Sequence, residues 1–300
     1  MLNFRQSALF AWTLGLALLV LSLGATHGFA QNENEVTMSD NSFLVEEAYN
    51  QEPGVVQHIF NLQPAWEHGA NAQRTIDFLF TQEWPIFSQR HQFSYSIPLL
   101  RYDNEPPNTD TGQAGGLGDI MLNYRYQLLN DQTGDFVACA PRFSFIFPSG
   151  DPTKNLGNGA LGYQVNIPVS KTFKRWATHF NAGLTQVPNA TGGVNPDVPF
   201  EGMNLGGYNI AASAIYFLRP NFHLMLEQDN VWADELSYEG DKNQQCLCFV
   251  SPGFRWAPYT EGDTQWVLGL GLPVGVSEAA PDIGLFFYMS FEHRFLKKAE

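Results

Sequence analysis

The sequence has little positive charge and almost no long apolar runs. Its 300 residues contain 16 Lys and Arg against 30 Asp and Glu, giving a net charge of −14. This balance excludes a nucleic-acid binder, which needs clustered cations to displace counterions from phosphates. One apolar run approaches the ~20 residues of a membrane-spanning helix, and it lies at the start of the chain. A hydrophobic content of 44%, with 14% aromatic residues, excludes a disordered chain.

Cysteine and metal-ligand spacing are equally sparse. Cys139, Cys246 and Cys248 are too few for a disulfide scaffold and lack the C-x-x-C spacing of a zinc site, so they allow one bridge at most. For the last two, small buried or lipid-facing side chains are favoured over a redox role. No histidine pair has a metal spacing such as H-E-x-x-H. We therefore expect neither a metal nor a cofactor.

The start of the chain carries the features of an export signal. Arg5 precedes an apolar run from Ala8 to Gly24, and Gly28-Phe29-Ala30 places small residues where a signal peptidase acts. This pattern predicts a signal peptide, residues 1–30, cleaved after Ala30; an uncleaved anchor helix is the alternative. In either case the rest of the chain leaves the cytoplasm. Residues 31–54 follow as an acidic leader, which we expect in the periplasm, and residues 296–300 form a short C-terminal tail.

From residue 55 the chain alternates apolar and polar residues with period two, the pattern of β-strands. Near residues 116–128, for example, Ile120, Leu122 and Tyr124 oppose Asn123 and Arg125. Strands of roughly 10 to 14 residues exceed the ~5 to 6 residues usual in soluble sheets and match tilted membrane-spanning strands. The predicted strands are 55–66, 73–84, 90–101, 116–128, 135–147, 160–172, 176–187, 203–217, 220–231, 246–257, 264–274 and 282–295.

The predicted connections alternate in length. Residues 102–115, 148–159, 188–202 and 233–245 form long loops, whereas 130–134, 174–175 and 218–219 are short turns. Outer-membrane barrels have short periplasmic turns and long extracellular loops. The sequence therefore predicts an all-β fold, an antiparallel transmembrane β-barrel of about twelve strands spanning residues 55–295, in the bacterial outer membrane. We expect the barrel assembly machinery to insert it.

The period-two pattern also predicts which polar side chains face the lumen. Opposite charges in this set would pattern the field inside a narrow barrel. The candidates are Asp77, Glu83, Asp119, Arg125, Arg142, Gln164, Asn166, His179, Asn181, His223, Glu227, Asp229, Arg255, Glu292 and Arg294.

Three glycine-rich motifs carry a family resemblance. They are Gly115-Gly116-Leu117-Gly118-Asp119-Ile120, Phe147-Pro148-Ser149-Gly150-Asp151 and Leu156-Gly157-Asn158-Gly159. The pattern resembles the outer-membrane transporter-like family labelled for the meta-pathway of phenol degradation, with Ser149 where that family often has Thr. The resemblance implies an outer-membrane channel for small, aromatic or hydrophobic, solutes.

The physical interpretation of these motifs is narrower than the family label. The glycines permit tight turns, and aspartates can accept bonds from nearby backbone donors. Either a loop shape without a ligand or an inward-folded constriction would use these residues. The motif residues are Gly116, Gly118, Asp119, Pro148, Gly150, Asp151, Gly157 and Gly159.

Two other classes of function stay open. One is a lipid-modifying outer-membrane barrel enzyme, which would need a Ser and a His on the lipid-facing surface; no G-x-S-x-G motif is present, and His179 and His223 share a face with Asn181 and Glu227. The other is a structural or adhesive surface barrel. We expect a channel, not an enzyme.

Acidic residues are concentrated in the segments that we place outside the cell. Their carboxylates could bind outer-membrane lipid and lipopolysaccharide through divalent cations. A solvated acidic surface is the alternative. The residues are Asp103, Glu105, Asp110, Asp151, Asp197, Glu201, Asp234, Glu235, Glu239, Asp241 and Asp282.

Overall fold

A computed structural model describes residue 38 and residues 40–67, 73–103, 113–195, 197 and 199–296. The predicted signal peptide, residues 1–30, lies outside this part of the chain, as do Glu105 and Asp110. Among the described residues, no helix is long and apolar enough to cross a membrane. The helical structure there consists of two 3-10 helices, Asp131–Thr133 and Pro152–Lys154.

Twelve strands form a closed antiparallel barrel, which confirms the predicted fold class. Each strand pairs with the next along the chain, and the last pairs with the first from Val55 opposite Arg294 to Leu62 opposite Phe287. The strands are β1 Val55–Trp66, β2 Arg74–Ile86, β3 Ser88–Asp103, β4 Gln113–Leu117 and Ile120–Tyr126, β5 Ala138–Cys139 and Arg142–Phe147, β6 Gly162–Thr172, β7 Trp176–Ala190, β8 Met203–Arg219, β9 Phe222–Leu236, β10 Lys242–Glu261, β11 Thr264–Gly271 and Val274–Gly275, and β12 Ile283–Gly284 and Phe286–Arg294.

The two ends of the barrel differ. At one end, here called the turn end, lie the start of β1, the end of β12 and connections as short as residues 220–221. At the other, the loop end, residues 148–161 and 191–202 connect neighbouring strands. The prediction of a long loop at residues 233–245 is wrong. β9 and β10 continue as a ladder from Ala233 opposite Gln245 to Leu236 opposite Lys242. The side chains there are mostly polar, but the hydrogen bonds of a ladder join backbone groups and do not require apolar side chains.

The outer surface is apolar and the inner surface polar. Phe143, Val165 and Leu184 are cross-strand neighbours on the outside, exposed by 39%, 40% and 62%. Their sequence neighbours Ser144, Asn166 and Gly183 point inward, with Ser144 opposite Gln164 and Asn166 opposite Gly183. This inverts the usual arrangement of a soluble protein, as expected for a wall with lipid outside.

Residues 31–37 and 39 of the predicted leader lie outside the described residues, and the rest of the leader is not where we expected it. Residues 40–54, here called the plug, lie inside the barrel instead of in the periplasm. The plug contacts side chains in the turn-end half of ten strands: Gln57, Gln92, Arg125, Arg142, Ser170, Asn181, Ser213, Glu227, Arg255 and Ser290. The physical reason is that an extended polar segment leaves its backbone N–H and C=O groups without partners, and the polar lumen supplies them.

The cysteines take no part in this arrangement. Cys246 and Cys248 are buried and joined to each other, and Cys139 is a free thiol.

Candidate functional site

The plug is anchored most strongly at Glu46. Its carboxylate accepts hydrogen bonds from Arg142 Nε at 2.9 Å, Arg125 Nη1 at 3.2 Å and Asn166 Nδ2 at 2.8 Å. Its backbone exchanges two bonds of 2.7 Å with the Asn181 side chain. Although burial alone would raise it, Arg142 and Arg125 hold the pKa of Glu46 below its usual range. The carboxylate is therefore bound in its charged form.

A second anchor reverses the roles of plug and wall. Here the wall supplies the carboxylate, because Glu227 of β9 accepts from the backbone N–H groups of Phe43 at 3.0 Å, Leu44 at 3.2 Å and Val45 at 3.4 Å. Next to it, the hydroxyls of Ser42 and Ser213 are 2.8 Å apart. Three successive donors around one carboxylate fix the course of the plug backbone.

The N-terminal part of the plug returns toward β12 and β1. The Asp40 carboxylate accepts bonds from Gln57 Nε2 at 2.7 Å, Tyr288 Oη at 2.7 Å and Ser290 Oγ at 2.5 Å. Arg255 donates to the backbone oxygens of Asp40 and Asn41. The side chains in this group are buried, so their mutual hydrogen bonds stabilise the docked plug.

One aromatic ring fills the lumen beside β11. Phe43 stacks on Phe286 and contacts Tyr288 in a tilted arrangement, with ring centroids 5.4 Å apart in both cases. It also covers Gly253, where an added Cβ would lie 3.0 Å from the ring, and Gly269, where a Cβ would collide with it. The glycines leave a recess in the wall that matches the ring.

The C-terminal part of the plug leads out through the turn end. Gln127 donates to Ala48 O at 2.6 Å and accepts from Asn50 N at 3.0 Å. Arg125 Nη2 donates to Tyr49 O at 2.6 Å, and Gln92 accepts from Gln51 N at 2.8 Å. The long side chains of the wall therefore reach the plug backbone and bond to it.

Most of the predicted lumen residues either bond to the plug or bond to a wall residue that does so. Three belong to the second kind: Gln164 accepts from Arg142 Nη2 at 2.9 Å, His179 bonds Ser170 Oγ at 2.7 Å, and His223 accepts from Arg255 Nε at 3.2 Å. Those that bond directly to the plug are Arg125, Arg142, Asn166, Asn181, Glu227, Arg255, Glu292 and Arg294.

The remaining predicted residues lie elsewhere. Glu83 bonds Gln92 and lies 3.8 Å from Arg125 without touching the plug itself. Asp77 and Asp229 lie nearer the loop end, and a buried oxygen of Asp77 has no hydrogen-bond partner among the described residues. Asp119 lies outside the network altogether, at the loop end of β4.

The glycine-rich motifs build a loop around Asp119. Its carboxylate accepts from Gly150 N at 3.0 Å and Asn158 N at 2.8 Å. Gly157 packs against the same carboxylate so closely that a Cβ would collide with it. The Asp151 carboxylate caps the 3-10 helix Pro152–Lys154 by accepting from Thr153 N. The motif residues therefore hold this loop together through the Asp119 carboxylate.

Sequence reasoning missed the plug residues and their amide partners. Gln57, Gln92 and Gln127 follow the lumen-facing alternation of their strands, so the same pattern could have identified them as lumen residues. Asp40 and Glu46 offered no periodicity, because the plug is irregular.

The only Ser–His contact described in the structure lies inside the barrel. Ser170 accepts from Ala48 N at 2.8 Å while bonding His179. This pair faces the plug and not lipid, so it lacks the placement that a lipid-modifying enzyme needs.

Comparisons with known proteins identify the fold. No family model and no curated protein matches the chain, so the phenol meta-pathway resemblance is not confirmed. The COG4313 outer membrane channel from Pseudomonas putida F1 is similar at a TM-score of 0.59, with 12% identity over 85% of this chain and 99% of that one. The chain has the fold of an outer-membrane channel.

Weaker similarity extends to other barrels. The NanC porin aligns at a TM-score of 0.43 with 10% identity, over 77% of this chain and 98% of the porin. The CymD monoaromatic hydrocarbon channel aligns at 0.39 with 9% identity, over 83% and 90% of the two chains. These two scores are too low to add to the conclusion.

Proposed function

We propose that this protein is an outer-membrane channel for small solutes, closed at its turn end by its own plug. The observation that carries the proposal is a closed barrel, apolar outside and polar inside, whose lumen is crossed by residues 40–54. A barrel serving only as a surface scaffold has no need of an irregular segment bound to ten strands.

The loop half of the lumen suits solutes with an apolar body. By the alternation of their strands, Leu79, Leu100, Met121 and Phe249 face inward there. Asp77 adds a buried carboxylate oxygen that has no partner in the part of the chain that the structure describes. Together the apolar side chains favour small aromatic or hydrophobic solutes, which is the class that the motif resemblance implies. Asp77 would pair with a polar group on such a solute.

The same proposal sets the orientation and partners of the chain. With the signal peptide cleaved after Ala30 and insertion by the barrel assembly machinery, the turn end faces the periplasm. The loop end, with Asp197, Glu201 and Glu239, then meets lipopolysaccharide, to which divalent cations would bind it. Heat-shifted gel migration of the mature chain and its recovery with outer membranes are the expected results. Recovery as a soluble periplasmic protein would contradict the location.

Transport is tested in planar bilayers. We expect a small conductance for the mature chain and a several-fold larger one for a chain lacking residues 31–54. Benzyl alcohol should reduce the ion current of the open form more than glycerol does, since the loop half of the lumen is apolar. If neither form conducts above the protein-free bilayer while both show the heat shift, the barrel has no channel function and the structural or adhesive class stands.

A further inference from the structure

A pocket of about 290 Å³ opens at the turn end between the plug and the wall. Glu47, Gln51 and Glu52 line it from the plug. Gln265 and Glu292 line it from β11 and β12. It is therefore formed only while the plug is docked.

Glu47 is the unusual residue in this pocket. The residue is only 6% exposed, yet its carboxylate makes no hydrogen bond or ion pair with a described residue; Arg125 binds only its backbone oxygen, at 3.1 Å. The adjacent Glu46, by contrast, is bound by two arginines. A buried carboxylate that faces a pocket without a partner is costly unless something else supplies donors.

Around Glu47, acidic side chains outnumber basic ones. The carboxylates of Asp40, Glu83 and Glu292 all act on the Glu47 site, opposed by Arg125 and Arg255. Both guanidinium groups are engaged elsewhere. Arg125 bonds Asn50, Glu46 and Tyr49 O, and Arg255 bonds His223 and the backbone oxygens of Asp40 and Asn41.

We propose that this pocket binds a primary ammonium group of a small organic cation, with the Glu47 and Glu292 carboxylates as its acceptors. An ammonium group carries one positive charge and three N–H donors, which suits two carboxylates and amide oxygens at one opening. No group of three or more His, Cys, Asp or Glu side chains poised for a metal exists among the described residues.

Binding at this position would act on the plug. Glu47 belongs to the plug and Glu292 to the wall, so one ammonium group joins the two and holds the plug docked. This effect on the channel rests on the proposed function; the binding itself does not.

The test measures the binding of 1,4-diaminobutane to the mature chain in detergent micelles by isothermal titration calorimetry. Saturable binding is expected, weakened about tenfold or more in Glu47→Gln and in Glu292→Gln, since each loses a charged acceptor. Glu239→Gln, an exposed loop carboxylate, is the matched control and should bind as the unaltered chain does. Each variant is first checked for the heat shift of a folded barrel.

Competition separates a hydrogen-bonded site from general attraction to acidic protein. The fully N-methylated bis-quaternary analogue of the probe has the same charge but no N–H donors, and it should not compete; Mg²⁺ should compete weakly. Equal competition by the methylated analogue, equal binding by all three variants, or no saturable binding would each overturn the proposal. Binding without any measurable conductance would leave the ammonium site intact and reject the channel.

Discussion

At the scale of single residues, Glu46 decides whether the plug can dock. Its carboxylate lies between Arg142 and Arg125, with N–O distances of 2.9 Å and 3.2 Å. Removing one partner from a buried ion pair leaves uncompensated charge, so the loss exceeds that of an exposed pair. The two arginines keep partners on the wall, Glu83 for Arg125 and Gln164 for Arg142, which hold them in place when Glu46 is absent.

Glu46→Gln should therefore release the plug without unfolding the barrel. We expect the free energy of docking to fall by about 3–5 kcal/mol. Hydrogen exchange of the amides of residues 42–50 measures it, and these amides should exchange faster while those of β8 and β9 do not. Glu201→Gln, an exposed loop carboxylate, is the control. Unchanged protection of the plug in Glu46→Gln would show that the ion pairs do not hold it.

Glu47 makes docking depend on pH. Burial raises its pKa to about 7 from an ordinary value of 4.5, with Arg255 opposing the shift only in part. A carboxyl whose pKa is raised by docking favours the docked state while it is protonated. Docking should thus be strongest below pH 4.5 and weaken as the pH rises to about 7. The charged groups facing it are Asp40, Glu83, Arg125, Arg255 and Glu292.

The measurement is channel conductance between pH 5 and pH 8. Conductance should rise with pH in the unaltered chain, and Glu47→Gln should make that rise smaller, because Gln does not titrate. An identical pH profile in both chains would assign the dependence to another group.

Sequence alone predicted part of this residue-scale picture. Alternation placed Arg125, Arg142 and Glu227 inside the barrel, and the structure has them there. It could not pair them with Glu46 or with the Phe43 backbone, because those partners lie between 79 and 184 residues away and meet only after the barrel closes.

At the scale of elements, each strand presents one face to lipid. Leu224 and Leu226 of β9 are exposed by 43% and 46% on the outer surface. His223 and Glu227, on the inner surface, are exposed by only 0% and 1%. A charged side chain in the outer row therefore meets hydrocarbon, and its cost depends on depth.

Leu226→Arg should destabilise the inserted barrel by about 2–4 kcal/mol, and Gln186→Arg, on the outer face near the loop end of β7, by ~0–1 kcal/mol. Reversible unfolding in urea with lipid vesicles compares the two free energies. Equal costs at both positions would mean that the outer surface does not face a bilayer in the way described.

The strands, whose apolar and polar residues alternate with period two, were predictable from the sequence, and the irregular plug was not. The predicted strand at 55–66 coincides with Val55–Trp66, and 160–172 differs from Gly162–Thr172 only at its start. The β9–β10 ladder runs beyond its prediction because polar side chains at its end look like a loop. The plug has neither period nor turn residues, so its place is fixed by the lumen and not by its own sequence.

At the scale of the whole molecule, the wall and the plug form one closed unit. The apolar outer surface requires a membrane, and the polar lumen is satisfied by a segment of the same chain. The plug enters at Gly54, beside the β1–β12 junction, reaches Glu46 and returns toward β12 at Asp40. A loop attached in this way can leave through the turn end without breaking a strand pair.

The most direct test locks the plug in place. The Ser42 and Ser213 hydroxyl oxygens are 2.8 Å apart, close enough for a disulfide between Ser42→Cys and Ser213→Cys. Ser42→Cys alone, treated identically, controls for the native cysteines. Single-channel recording of the oxidised double variant should show a continuously closed barrel, and reduction should restore openings at the frequency of the single variant. Openings that are equally frequent and equally large before and after reduction would contradict closure by the plug.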